Sequence, residues 1–347
     1  MDKDVTEQIP RCNGAAPGTI GLKYVSDQEP GITRIRRGRG FSYHLPGGDL
    51  LRDEEHLMRV RALGIPPAYS DVWFCLSADG HLQATGLDAR GRKQYRYHAD
   101  WLTFRDRTKF DQLLPFGNAL PRIRNRVRTD LKGAADRERT VLAALCVLLD
   151  KAHLRVGNQV YADENGSFGA TTLLKRHVRI TGDRLQLSFT AKGGKRVRRS
   201  VKHATLSRQL EKISDLPGRQ LFVWRGEDDR LRPVDSGRLN AYLADVSGLD
   251  ITAKTFRTWA GSVAAFDLAR QRVADGTRPS IKAMSEEAAA VLFNTPAICR
   301  SSYIHPAIVR LADPETAVDE DWFVSASGVE KRLKKAESLM LDFLKTG

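Results

Sequence analysis

The run Val141-Leu142-Ala143-Ala144-Leu145-Cys146-Val147-Leu148-Leu149-Asp150-Lys151-Ala152-His153-Leu154-Arg155-Val156-Gly157-Asn158 sets the character of most of this chain. Val141, Leu142, Leu145, Leu148, Leu149 and Ala152 recur at spacings of three and four. They share one stripe of a helix and predict a long, buried one. The pattern runs out at Gly157, which places Arg155 at the C-terminal end of that helix. Downstream the apolar period drops to two, and strands are expected at 178–180, 185–189 and 197–201. Their turns are Thr181-Gly182-Asp183 and Lys192-Gly193-Gly194. Helices resume at 239–246 and again from about Thr252, a residue suited to cap the segment that holds Arg257 and Trp259. Ser285-Glu286-Glu287 reads as one more helix start, to be stopped by Pro296.

Two further helices flank this region. Leu120, Ile123, Val127 and Leu131 predict one, with Pro121 tolerated in its first turn. Val329, Leu333, Ala336, Met340 and Phe343 predict a final amphipathic one. The first hundred residues read differently. Strands at 32–36 and 41–44 flank the turn Arg37-Gly38-Arg39-Gly40, and strands at 72–76 and 81–85 flank Ala78-Asp79-Gly80. Between them, Leu57, Val60 and Leu63 predict a short helix that Gly64 and Pro66-Pro67 end. The fold class is therefore α+β: a small β-rich N-terminal domain and a larger, mainly α domain with a short antiparallel sheet. We place a polar, poorly ordered lead-in at 1–18, the first domain at 19–105 and the second at 106–347.

Composition narrows the function. Residues 101–235 carry 28 Lys and Arg against 15 Asp and Glu, whereas 1–100 hold 14 against 13 and 236–347 hold 14 against 14. A surplus confined to one region suits a polyanionic partner, although a single charge run is most often a solvated face. Cys12, Cys75, Cys146 and Cys299 are scattered, with no C-x-x-C pair, and the eight histidines have no metal-ligand spacing. No P-loop motif offers an ATP site. No window is long enough to span a membrane, and the N-terminus lacks an apolar leader. The expectation is a cytoplasmic protein using no metal and no cofactor.

The chemistry concentrates in five residues. Tyr303 lies nine residues after Asn294, in Asn294-Thr295-Pro296-Ala297-Ile298-Cys299-Arg300-Ser301-Ser302-Tyr303. Arg155 stands in Arg155-Val156-Gly157-Asn158, Lys192 in Lys192-Gly193-Gly194-Lys195, and Arg257 in Lys254-Thr255-Phe256-Arg257-Thr258-Trp259. Alone, each has an ordinary explanation: a half-buried phenol, a helix-end charge, a basic hairpin tip. Together they can attack a phosphodiester with a phenol, because fixed cations can neutralise the charge that builds on the phosphoryl oxygens. Arginine suits bidentate contact with those oxygens, and a lysine can surrender a proton to a departing alkoxide. Near Lys192, the basic residues Lys195, Arg196, Arg198, Arg199 and Lys202 are expected to hold backbone phosphates. In the first domain, Arg90-Gly91-Arg92-Lys93-Gln94-Tyr95-Arg96-Tyr97-His98 interleaves basic and aromatic residues, and Gln94 has the donor–acceptor pair that reads adenine.

Taken in order, these segments resemble the bacterial branch of the poxvirus-type type IB DNA topoisomerases, whose catalytic domain is like that of tyrosine recombinases. The resemblance also covers Gly169-Ala170-Thr171-Thr172-Leu173 and Ser302-Tyr303-Ile304-His305-Pro306, and extends from about Gly31 to Arg310. It implies an enzyme that relaxes positive and negative supercoils without ATP or metal. Tyr303 would be the nucleophile that forms a 3′-phosphotyrosyl link, Arg155 and Arg257 would stabilise the transition state, and Lys192 would act as general acid. Gln94, Tyr95 and Tyr97, with Lys93, would contact duplex DNA from the first domain, and Gly157, Tyr161, Lys195 and Arg196 from the second. The two domains would clamp supercoiled duplex DNA, and the protein would act as a monomer. Asn294 stands where the family usually has a histidine, and would contact a phosphoryl oxygen as an uncharged donor. His305 is read as structural or as a minor contact. The competing readings are a tyrosine recombinase, a DNA-binding protein with a decayed site, and a nuclease.

Overall fold

The computed structural model describes residues 17–89, 91, 93–316 and 333–346, excepting the side chains of Pro17, Asp106, Arg107, Val160 and Tyr161. Nearly all of the expected lead-in, and Val329 of the last predicted helix, lie outside these residues. The chain forms two compact units, Met1–Lys109 and Phe110–Gly347.

In the first unit, β1 (Ile32–Arg37), β2 (Gly40–His44), β3 (Ser70–Phe74), β4 (Leu82–Leu87) and β5 (Lys93–Tyr97) form one antiparallel sheet in the order β2-β1-β3-β4-β5. Period-two alternation explains how both faces are used. Val72 and Phe74 on β3 join Ile32 and Ala84 under helix α1 (Glu54–Ala62), which contributes Leu57 and Val60. Trp73 and Cys75 face the other way, with Val25 and Leu82. Both predicted hairpins are present. Lys93–Tyr97 of the basic–aromatic stretch, unassigned from sequence, form the edge strand β5; Arg90 and Arg92 lie outside the described residues.

Helix α2 (Ala99–Asp111) carries the division between the units. The second unit then runs α3 (Leu113–Asp130), α4 (Glu138–Ala152), α5 (Gln159–Asn165), β6 (Val178–Thr181), β7 (Arg184–Thr190), β8 (Arg196–Lys202) and α6 (Ala204–Ser214). After the hairpin β9 (Val223–Arg225) and β10 (Leu231–Pro233) come α7 (Ser236–Ser247), α8 (Ala253–Ala274), α9 (Ile281–Leu292), α10 (Pro296–Ser302), α11 (Pro306–Arg310) and α12 (Lys335–Thr346). Strands β6, β7 and β8 form an antiparallel sheet in sequence order. The predicted buried helix is α4, packed against α3, α6, α7 and α8. Arg124 on α3 bonds Asp150 of α4 at 2.8 Å and Glu337 of α12 at 2.7 Å, tying the last helix to this core. Burial pushes both carboxyls up, but the Arg124 guanidinium outweighs it and holds them below the usual carboxylate range.

Four boundaries differ from expectation. Helix α4 ends at Ala152, where His153 takes a left-handed conformation (φ 53°), so Arg155 lies beyond the helix. Pro121 sits inside α3, not in its first turn. Helix α9 starts at the Ser280 cap, whose hydroxyl accepts from the Ala283 N–H at 3.1 Å, and ends at Phe293 (φ 49°). Pro296 therefore ends nothing; it opens α10 at a position where a missing N–H costs nothing.

Candidate active site

Arg155 is placed by backbone rather than by its own side chain. Past His153 the chain runs alongside Gly169–Thr172. Ala170 N–H donates to the Arg155 carbonyl at 2.8 Å and Thr171 N–H to the Val156 carbonyl at 2.7 Å. The Thr171 hydroxyl donates to that same carbonyl at 3.0 Å. Two glycines make the approach possible. A Cβ on Gly169 would lie 2.5 Å from Gly157 N and Cα, and one on Gly157, at φ +100°, would lie 2.9 Å from Thr172 Oγ1. The Arg155-Val156-Gly157 and Gly169-Ala170-Thr171-Thr172 segments are thus the two halves of one interlock. Gly157 is required here for packing, whatever else it touches. Tyr161 belongs to α5, but its side chain lies outside the described residues.

Arg257, on the second turn of α8, is buried to 3% exposure. Thr252 occupies the N-cap position of that helix, as expected. The Arg257 guanidinium donates to the carbonyl of His153, at the end of α4, and through Nη2 to that of Leu292, at the end of α9, at 2.9 Å. Of its five N–H donors, two are used in this way. Burial lowers its pKa, the Tyr303 phenol opposes this and the Arg155 charge adds to it. An arginine stays protonated under such a shift.

Tyr303 caps the C-terminus of α10, its N–H donating to the Cys299 carbonyl at 2.9 Å, and its half-buried ring centroid lies 5.2 Å from Arg257 Cζ. Sequence reasoning missed the two residues that seat it. A Cβ at Gly261 would come within 2.8 Å of the Tyr303 carbonyl oxygen. The next residue, Ser262, donates to that carbonyl at 3.2 Å and accepts from His305 N–H at 3.0 Å. Their only signal in the sequence was a Gly-Ser pair about one turn after Arg257 on a buried helix.

Asn294 follows the left-handed Phe293 directly. Its Oδ1 accepts from Thr295 N–H at 3.1 Å, so Nδ2 remains as the group it can offer to an oxygen. His305 caps α11 with Nδ1 accepting from Ala307 N–H at 3.1 Å, and its ring meets Phe110 edge-on. Burial lowers its pKa to about 4. It is a neutral structural residue.

Lys192 stands apart. It is exposed, in a 3₁₀ turn where Gly193 (φ 76°) and Gly194 (φ 75°) need left-handed backbone. Among the described residues, no hydrogen bond or ion pair joins it to Arg155, Arg257 or Tyr303. Burial raises the Cys299 thiol, and the charges of Arg257, Arg155 and Lys195 oppose that rise. Arg196 and Arg198 are exposed on β8, whereas Arg199, grouped with them from the sequence, turns inward. It donates to the Val291 carbonyl and stacks on Phe293, so it cannot serve as a surface phosphate contact in this arrangement.

In the first unit, alternation along β5 divides the expected contacts. Tyr95 and Tyr97 stack on one face, ring centroids 6.1 Å apart, with Lys93 Nζ 5.8 Å from the Tyr95 ring. Lys93 also pairs with Asp27. Gln94 points to the other face, where Nε2 donates to Asp88 at 3.0 Å.

Residues 98–300 match the family described as eukaryotic DNA topoisomerase I, catalytic core, and residues 40–88 match the bacterial DNA topoisomerase IB N-terminal domain. The chain belongs to the type IB DNA topoisomerases. A relative named DNA topoisomerase 1B, from Acanthamoeba polyphaga mimivirus, is 28% identical over 237 residues, 67% of this chain and 70% of the relative. A DNA topoisomerase I from Monkeypox virus is 25% identical over 107 residues, 31% of this chain and 34% of its own. The topoisomerase is accordingly an enzyme acting on DNA. The catalytic-core match ends at residue 300, before Tyr303. Among the described residues no helix is long and apolar enough to cross a membrane.

Proposed function

We propose that this topoisomerase relaxes positive and negative supercoils through a transient 3′-phosphotyrosyl intermediate, with neither ATP nor metal. The Tyr303 phenol oxygen, its proton released to solvent, attacks a backbone phosphorus, the P–O5′ bond breaks, and the 5′-oxygen leaves with a proton from Lys192. Arg155 and Arg257 hold the non-bridging oxygens as charge builds on them, and Asn294 Nδ2 adds an uncharged donor. The cut strand rotates about the intact one under torsion. The 5′-hydroxyl then attacks the phosphotyrosine, and Tyr303 leaves. Bond energy is retained in the intermediate, so no nucleotide is consumed.

The observation that carries this reading is the Arg257 guanidinium 5.2 Å from the Tyr303 ring centre, both braced by backbone contacts. Lys93, Gln94, Tyr95, Tyr97, Gly157, Tyr161, Lys195 and Arg196 are the proposed DNA contacts. Action as a monomer on supercoiled DNA, in the cytoplasm at the nucleoid, belongs to the same proposal. The test is relaxation of positively and negatively supercoiled plasmid in excess EDTA without ATP, beside Tyr303→Phe. Relaxation of both, lost in the variant, supports it. A plasmid whose mobility shifts while its linking number stays unchanged overturns it.

A further inference from the structure

Strand β8 places Val197, Arg199 and Val201 on one face by its period of two, and both valines are buried. The residue between them is an arginine. Its Cζ lies 4.4 Å from the Phe293 ring centroid, its Nη2 donates to the Val291 carbonyl, and its Nε is buried without a hydrogen-bond partner. No carboxylate compensates the charge among its described contacts. A leucine or methionine would fill this position without burying a cation, so packing alone does not explain the arginine.

Its placement does. The carbonyls of Val291 and Leu292 belong to the last turn of α9 and have no partner within that helix. Arg199 takes the first and Arg257 the second. Two arginines from different elements thus cap one helix end, directly before the left-handed Phe293 and Asn294. Arg257 approaches from α8, beneath Tyr303. Arg199 approaches from the hairpin whose turn carries Lys192. We infer that Arg199 is a positioning residue that locks the Lys192 hairpin to the Phe293–Asn294 turn, so that the Lys192 ammonium and Asn294 Nδ2 address the same phosphodiester. The inference rests on the proposed function.

The test is single-turnover formation of the covalent adduct on a duplex oligonucleotide bearing a cleavage site mapped with the wild-type protein. Arg199→Met, Arg199→Lys, Asn294→Ala and the Arg199→Met/Asn294→Ala double variant are compared, with thermal unfolding and DNA affinity measured alongside. Arg199→Met should slow adduct formation roughly 10- to 100-fold, since misplacement by about an ångström suffices for that. Its DNA affinity should stay near wild type, and its unfolding temperature should fall only modestly, because one part-buried helix-end carbonyl loses its partner. Arg199→Lys, which can reach the Val291 carbonyl, should recover part of the rate. The double variant should be no slower than the slower single variant, because both changes disable one contact.

An Arg199→Met rate equal to wild type overturns the inference. So do losses that multiply with those of Asn294→Ala, or a fall in DNA affinity that accounts for the whole effect. If Arg199→Met does not fold, Phe293→Leu removes the stacking partner and keeps the charge; it should reproduce the slow, non-multiplying adduct formation, and a wild-type rate there rejects the idea. A wild-type protein that forms no Tyr303-dependent adduct removes the proposed function and this inference together. An active wild type with an indifferent Arg199→Met removes the inference alone.

Discussion

Arg257 and Lys192 are the two kinds of cation in the proposed site, and the fold treats them in opposite ways. Arg257 is buried, held by the carbonyls of two helix ends, and faces the Tyr303 ring. Lys192 stands exposed on a double-glycine turn, with no hydrogen bond or ion pair to that group among the described residues. The contrast follows from their tasks. A charge that stabilises developing negative charge works best when already fixed, because no reorganisation is then needed as the transition state forms. A proton donor must instead meet one particular leaving oxygen, which is absent until DNA is in place.

The largest test of this contrast is Arg257→Ala. Adduct formation should fall about 10³-fold, as for loss of a preorganised donor. Stability should fall as well, because the two abandoned carbonyls each cost about 1–3 kcal/mol when buried without partners. Arg257→Lys should rescue little of either, since an ammonium cannot span both carbonyls and the phosphoryl oxygens. A lysine variant with wild-type rates would erase the distinction between the two cations.

Lys192→Ala should cost about 10²-fold in cleavage and nothing measurable in unfolding temperature. A substrate with a bridging 5′-phosphorothiolate, whose leaving group needs no proton, should restore most of the rate. Persistence of the defect on that substrate would take Lys192 out of the acid role. Gly157→Ala sharpens the comparison from the Arg155 side. The added methyl would press on Thr172 at a positive φ, so about 1–3 kcal/mol of stability should be lost in denaturant unfolding. Roughly tenfold of the cleavage rate should go with it as Arg155 shifts. The equivalent change at Gly193, where a Cβ meets nothing within 4 Å, should cost only the strain of its positive φ, about 1 kcal/mol, with no added clash.

The last prediction concerns pH and bears on stability alone. Burial lowers both His153 and His305 to about 4, so the folded protein holds them neutral while the unfolded chain protonates them near 6.5. The unfolded state binds more protons between those values, so stability is intact above about pH 6.5 and declines as pH falls toward 4. The slope is at most about 1.4 kcal/mol per pH unit for each histidine, less where solvent screens His305. His305→Asn keeps a capping side chain for α11 and should remove one of the two contributions. An unchanged pH–stability slope in that variant would show that His305 is not held neutral.

Much of this organisation was legible in the sequence, and the exceptions have identifiable causes. The hairpins around Gly38 and Gly80 could be read because turn residues separated alternating strands. Strand β5 could not, because an edge strand with solvent on one side carries charged and aromatic residues where buried strands carry apolar ones. Pro121 suggested a helix start, yet α3 extends on both sides of it. Pro296 suggested a helix stop, whereas α9 had already ended at Phe293, its last carbonyls taken by Arg199 and Arg257. That termination depends on groups from 35 and 92 residues away. No local pattern contains it.

The sequence by itself determined which side chains are available: a phenol, two arginines, a lysine and an amide, each in a recognisable local setting. It also determined the division between a β-rich first unit and a helical second one, since period and turn residues are local properties. Only the tertiary structure decided how those side chains are presented. Gly157 against Gly169 sets the backbone at Arg155, Gly261 and Ser262 seat Tyr303, and burial separates Arg199 from its exposed neighbours Arg196 and Arg198. The physical reason is that close approach, helix capping and burial are pairwise properties of residues far apart in the chain, and a sequence lists residues singly.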